Sequence, residues 1–137
     1  MTSLIKALLC LSIAAGGVAT ASAAHAPTVT SHRGTFVNIG SHTGTGTATV
    51  HRHDTTRTLR LSRNFATDRK VIKLHMYLAT NANGNTFVDL GPMKRTGAQS
   101  FRIPTNVRLA KYRHAIVWCV TADVPITRAR LLVIPAG

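Results

Sequence analysis

At 137 residues, 45% of them hydrophobic, the chain has length for one domain with one core and not for two. Seventeen Lys and Arg face four acids, all of them Asp (Asp54, Asp68, Asp89 and Asp123), which gives a formal charge of +13 at pH 7. The Asp residues are scattered, which excludes paired-carboxylate chemistry as a reading of the sequence, and the charge points to polyanions held by a salt-sensitive, sequence-independent attraction.

Residues 1–23 are expected to be a cleavable secretory signal. Lys6 is the one charge ahead of an apolar run, and Thr20-Ala21-Ser22-Ala23 puts small residues at −3 and −1 of a cut between Ala23 and Ala24. The run is shorter than the roughly 20 residues that span a bilayer. Cys10 lies inside it behind the bulky Leu9, which argues against a lipoprotein. The expected mature chain is residues 24–137, secreted or periplasmic, without a transmembrane segment and carrying +12 once Lys6 is gone from the +13. Residues 24–33 read as a disordered lead and residues 34–137 as the domain.

From Gly34 onward Gly, Asn and Thr punctuate the chain, and alternation replaces helical periodicity. In residues 47–53, Ala48 and Val50 point one way, and Thr49, His51 and His53 the other. Residues 58–61 alternate again and pair with them through a turn at 54–57. In residues 71–79, Ile72, Leu74, Met76 and Leu78 share a face opposite Lys73, His75 and Tyr77. Residues 81–85 form a turn, and residues 87–90 a short strand ending at Gly91-Pro92. Residues 101–104 are another, with Pro104 marking an edge or an end. Residues 114–120 are apolar on both faces and predict a central strand; residues 128–134 close the domain. The chain is read as all-β, an antiparallel β-sandwich of about 7–8 short strands, with a barrel as the related alternative.

No Gly-rich phosphate loop, Gly-x-Ser-x-Gly or His-Glu-x-x-His occurs, so no catalytic constellation is recognisable, and the reading leans away from an enzyme. His51 and His53 have the spacing of two ligands on one strand face, with His42 or His32 as a third; imidazole suits zinc, copper or nickel. Solvated histidines on a basic surface give the same spacing. With Cys10 removed, Cys119 is alone, so covalent c-type haem attachment and an internal disulfide are both excluded. An intermolecular bridge, a reactive or ligating thiol, and an inert buried residue stay open. Its apolar neighbours in Ile116-Val117-Trp118 and Val120 suppress the thiolate. His114 falls on the opposite strand face, and His75, Met76 or Met93 reach Cys119 only through the fold. The positive charge has two readings, polyanion binding or adaptation to an acidic medium in which few carboxylates leave little to titrate.

The ordered segments resemble the DM-thirteen domain family, also described as electron-transfer DM domains, and the chain looks like an exported, bacterial-type, single-domain member. The resemblance runs from about Gly34 to Leu131. It is carried by Gly34-Thr35-Phe36, by His42 to Gly46, by Leu59-Arg60-Leu61 with Phe65, and by Leu74-His75-Met76-Tyr77-Leu78. Asp89-Leu90-Gly91 follows, then Lys94, Gly97, Gln99 and Ile103-Pro104, then Tyr112 with Ile116-Val117-Trp118-Cys119, and Ala129-Arg130-Leu131. Asp68-Arg69-Lys70 departs from the family's Gly-Pro-Asp, and Ala122 and Ile126-Thr127 stand where aromatics are usual. The resemblance implies a β-sandwich with one characteristic Cys, here Cys119, in electron transfer or redox steps, related to haem-binding sandwich domains.

Three functions follow as expectations. The first is an exported accessory domain using Cys119 for redox or ligand chemistry with a redox partner. The second is a non-catalytic envelope module that binds anionic polymers or lipid head groups through Arg57, Arg60, Arg63, Arg69 and Lys70, with no specific nucleic acid. The third is a metal or haem carrier using His51 and His53 with Cys119, His75 or Met76.

Overall fold

The computed structural model describes residues 26–135; the expected signal, Cys10 and the first residues of the lead lie outside them. The described residues form eleven strands: β1 (Val29–Asn38), β2 (Gly44–Thr45), β3 (Thr47–His53), β4 (Thr56–Leu61), β5 (Ala66–Thr67), β6 (Leu74–Ala79), β7 (Phe87–Pro92), β8 (Gln99–Ile103), β9 (His114–Cys119), β10 (Val124–Arg130) and β11 (Leu132–Val133). Three of these hold two residues each, which leaves eight of five residues or more, and the strands pair antiparallel throughout. The all-β sandwich expected from alternation is the observed architecture.

The long strands follow one path, β7-β6-β9-β10-β1-β3-β4-β8, which folds over at β1 into two layers. The first half of β1 pairs with β3 and β11, and its last residues, Phe36 to Asn38, pair with β10. The first layer is therefore β11-β1-β3-β4-β8, and the second is β1-β10-β9-β6-β7. The changeover needs Gly34, because a Cβ there would run into the Arg130 carbonyl and the Ala129 side chain. Opposite it, the Leu131 amide leaves the ladder to donate to the Arg113 carbonyl at 2.7 Å, and this separates β10 from β11.

Alternation fills the space between the layers. Ala48, Val50, Leu59, Leu61, Phe101 and Ile103 point inward from the first; Leu74, Met76, Leu78, Ala115, Val117 and Cys119 point inward from the second. Phe65, on the loop after β4, meets Phe36 edge-on with ring centroids 5.0 Å apart.

Several boundaries differ from the sequence reading. β1 starts at Val29, so residues 29–33 of the expected lead belong to the sheet; their side chains are mostly polar, and the pairing with β3 is not a local signal. β6 starts at Leu74. Ile72, expected inside, is 65% exposed, because Lys73 takes a left-handed φ of 53° and breaks the alternation. The closing strand expected over 128–134 is the end of β10 and all of β11, split at Leu131. The hairpin turn is two residues, Asp54-Thr55, with Arg52 opposite Arg57 and His53 opposite Thr56. As Pro104 implied, β8 lies at one end of the path, and β9 is central between β6 and β10.

Candidate functional site

β9 divides its residues between two environments. Cα pairing sets Cys119 opposite Leu74, Val117 opposite Met76 and Ala115 opposite Leu78, all facing the core. Cys119 is a free thiol, 4% exposed. Its Sγ donates to the Ile72 carbonyl at 3.3 Å, and the next amide, Val120 N–H, donates to the Lys73 carbonyl at 3.0 Å. Residues 71–74 thus form a strap across the end of β9, held by two hydrogen bonds, one from Cys119 and one from Val120. The strap carries the left-handed Lys73, a conformation that costs a non-glycine residue about 1–2 kcal/mol.

Outside the strap lies an open cleft of about 740 Å³. Its walls are Thr67 and Arg69, strap residues 71–74, and residues 93–96, the last group contributing Met93, Lys94, Arg95 and Thr96.

The outward side of the same strands holds His75, Tyr77 and Ala79 of β6 against Trp118, Ile116 and His114 of β9. Tyr77, Phe87 and Trp118 form an aromatic stack. The Tyr77 and Phe87 centroids are 4.1 Å apart with planes 4° from parallel, and Tyr77 and Trp118 are 5.4 Å apart at 17°. Trp118 Nε1–H donates to Asp123 Oδ1 at 3.1 Å, and His75 Nδ1–H donates to Asp89 at 2.9 Å. Burial, then the Asp89 and Asp123 carboxylates, push the Tyr77 phenol above its ordinary range. Asn81 Oδ1 ties the 81–85 turn by accepting from the amides of Asn83 and Asn85. Gly84, at φ 74°, packs there against the Trp118 ring.

The residues expected to serve one site fall in separate places. Cys119 and Met76 are on the core side of the second layer, with Met76 fully buried, whereas His75 is on the outward side. Met93 lines the cleft, and its amide donates to the Leu74 carbonyl at 2.9 Å. His51 and His53 do share the outward face of β3. The His51 ring nitrogens bond the Thr49 and Thr30 hydroxyls at 2.9 and 3.2 Å. His53 lies between Thr28, at 3.5 Å, and Asp54, at 3.9 Å. His42 is elsewhere, with Nδ1 3.1 Å from Asp68, and His32 bonds its neighbour Ser31. Among the described residues no three His, Cys, Asp or Glu side chains converge as a metal-ligand set.

Two features were not read from the sequence. One is the cationic cleft, whose hint was Lys94 in the resembling segment. The other is the full membership of the outward face of the first layer, of whose Arg residues Arg60 was named but not Arg33 or Arg102; cross-strand rows run Arg33-Thr49-Arg60-Ser100 and Thr30-His51-Thr58-Arg102 with no carboxylate among them. Burial, then Arg60, hold His51 below the ordinary histidine range.

Among the described residues no helix is long and apolar enough to cross a membrane. No curated protein and no solved structure matches the chain. The family described as "Electron transfer DM13" matches residues 35–131, a span that begins within β1, ends at Leu131 and includes both Trp118 and Cys119. The chain therefore belongs to the electron transfer DM13 family.

Proposed function

We propose that this domain is exported and acts as an accessory in electron transfer, with Cys119 as the group that changes redox or ligation state and with no turnover chemistry of its own. The observation that carries the reading is the strap. The thiol of Cys119 makes one hydrogen bond, to Ile72 of a short segment that is strained at Lys73 and cation-rich on its outer side. Displacing the exposed pair Ile72 and Lys73, which lies between the buried Val71 and Leu74, releases both hydrogen bonds at the end of β9.

A haem held by Cys119 with His75 or Met76 does not fit this arrangement. His75 stands on the other side of the sheet from Cys119, Met76 is packed with no exposure, and the strap covers the sulfur.

The test is differential alkylation read by mass spectrometry, on protein exported by its own signal and equilibrated across a series of thiol–disulfide redox buffers. The reading expects a chain beginning at or near Ala24 and a reversible change in the state of Cys119 with poise. A Cys119 that stays a free thiol across the series would reject the redox role.

A second reading, binding of anionic envelope polymers or lipid head groups, is favoured by one observation: two cross-strand rows without a carboxylate on the outward face of the first layer. There Arg33, Arg60 and Arg102 stand among Thr and Ser hydroxyls at cross-strand spacing.

A further inference from the structure

We infer that the cleft outside the strap is a binding site for a small molecule with clustered oxyanion charge of the phosphate type, and that its occupancy holds the strap closed over Cys119. The inference deepens the electron-transfer reading by naming the ligand class at that site, and it rests on that reading for its purpose though not for its binding.

Four cations, Arg69, Lys73, Lys94 and Arg95, line the cleft together with the hydroxyl residues Thr67 and Thr96, and no carboxylate lines it. Like charges gathered in one concavity repel one another, and an anion relieves that repulsion. The neighbouring acid, Asp68, is turned to other partners: its carboxylate accepts from His42 Nδ1–H and from the Lys70 amide.

The backbone that carries two of these exposed cations, Lys94 and Arg95, is held in place. The Lys94 amide donates to Gln99 Oε1 at 2.7 Å, and Gln99 Nε2–H returns a bond to the Lys94 carbonyl at 2.9 Å. The Arg95 carbonyl accepts from the Thr67 amide at 3.0 Å, and the Arg95 guanidinium donates to the Arg69 carbonyl. The wall that carries Lys94 and Arg95 is therefore fixed before any ligand arrives, which lowers the entropic cost of binding. Lys73 differs in belonging to the strap, and its carbonyl is the acceptor for Val120 N–H. An oxyanion shared by Lys73 on one side and Lys94 or Arg95 on the other ties the moving piece to the fixed one. Phosphate-type oxygens suit such a set because each accepts several charge-assisted hydrogen bonds.

The experiment uses the mature protein, inorganic pyrophosphate as probe, and a neutral alkylating reagent. Wild type is compared with the pair Lys94→Ala and Arg95→Ala, and with a charge-matched control, Arg108→Ala and Lys111→Ala, outside the cleft. Calorimetry should give a saturable site that weakens about tenfold or more in the first pair and about twofold or less in the control. Alkylation of Cys119 should slow with pyrophosphate at the same midpoint, in wild type and control but not in the first pair. If the thiol resists the reagent throughout, hydrogen exchange of the Val120 amide reads the same closure and should slow with pyrophosphate. Equal weakening in both pairs, or binding that leaves both alkylation and Val120 exchange unchanged, would overturn the proposal. A Cys119 indifferent to redox poise would instead remove the electron-transfer role and leave the anion site standing.

Discussion

On the outward face of the first layer, Arg33, Thr49 and Arg60 form one cross-strand row and Thr30, His51, Thr58 and Arg102 the next, with no acid among them. On the outward face of the second layer, Tyr77, Phe87 and Trp118 stack, and two of the four acids, Asp89 and Asp123, stand beside them. Both faces come from one pleat rule, since each strand sends alternate side chains away from the core. They differ in what alternation delivers. The first face stays wet and cationic, and its residues are free to exchange counter-ions for a polymer. The second buries Tyr77 to 7% exposure under its own outward neighbours and behaves as a small additional core. A net charge of +13 is a sum over the chain, and it conceals that half of the acids stand beside one aromatic stack.

The largest expected effect separates the faces by stability. Tyr77→Ala removes the middle of a three-ring stack and should cost about 3–4 kcal/mol in chemical denaturation. Arg60→Ala, on the other face, should stay within about 0.5 kcal/mol. Similar costs for the two would break the distinction.

A second test concerns charge. Replacing Arg33, Arg60 and Arg102 together by Ser should flatten the salt dependence of binding to a heparin-like polymer by roughly two to three units of log–log slope. The triple variant should melt close to wild type, because its residues stay outside the core.

A smaller effect is expected from pH. His32 and His51 in the first layer and His114 in the second are each held below the ordinary value of 6.5, by burial first and then by neighbouring Arg side chains. His114 has a buried Nδ1 without a partner. Above pH 6.5 these rings are neutral in both states and contribute nothing to the pH dependence. As pH falls through that value the unfolded chain takes up protons first, so stability drops until the lower folded values are passed. Asp68 acts in the same direction further down. Its hydrogen bond from His42, then that from the Lys70 amide, lowers its folded value, so its contribution is present above 3.8 and is lost as pH falls through that lowered value. The melting temperature should therefore decline on acidification below about pH 6.5. His51→Gln should soften the decline from one face and His114→Gln from the other. A melting temperature that holds or rises down to pH 4 would favour the reading of the charge as adaptation to an acidic medium.

The β3–β4 hairpin was legible because its evidence is local: Ala48 and Val50 alternate with polar residues, and so do Leu59 and Leu61 a few positions on. β9 was legible because His114 to Cys119 is apolar on both faces, as a strand between β6 and β10 must be. The start of β1 was not, since Thr30, Ser31, His32 and Arg33 carry no apolar alternation and are ordered by a partner some twenty residues away. Ile72 was misplaced because one left-handed residue, Lys73, resets the phase of a strand pattern. At the site, Cys119 stood out by being the last cysteine left, and neither the strap nor the cleft has a local signature. His75 and Met76 were paired as candidates although neighbours in a strand point to opposite faces, a conflict already present in the alternation of residues 74–78. The His51 and His53 spacing was read correctly as one face, but that face satisfies the His51 ring with Thr hydroxyls.

The central claim, that Cys119 is covered by a movable strap and not sealed in the core, is tested most directly by the rate of its alkylation in native protein as denaturant is added. The account predicts a rate set by local opening of Ile72 and Lys73: faster than global unfolding allows, and nearly flat at low denaturant. A rate that follows global unfolding from the first addition of denaturant would contradict it and leave Cys119 as a buried structural residue.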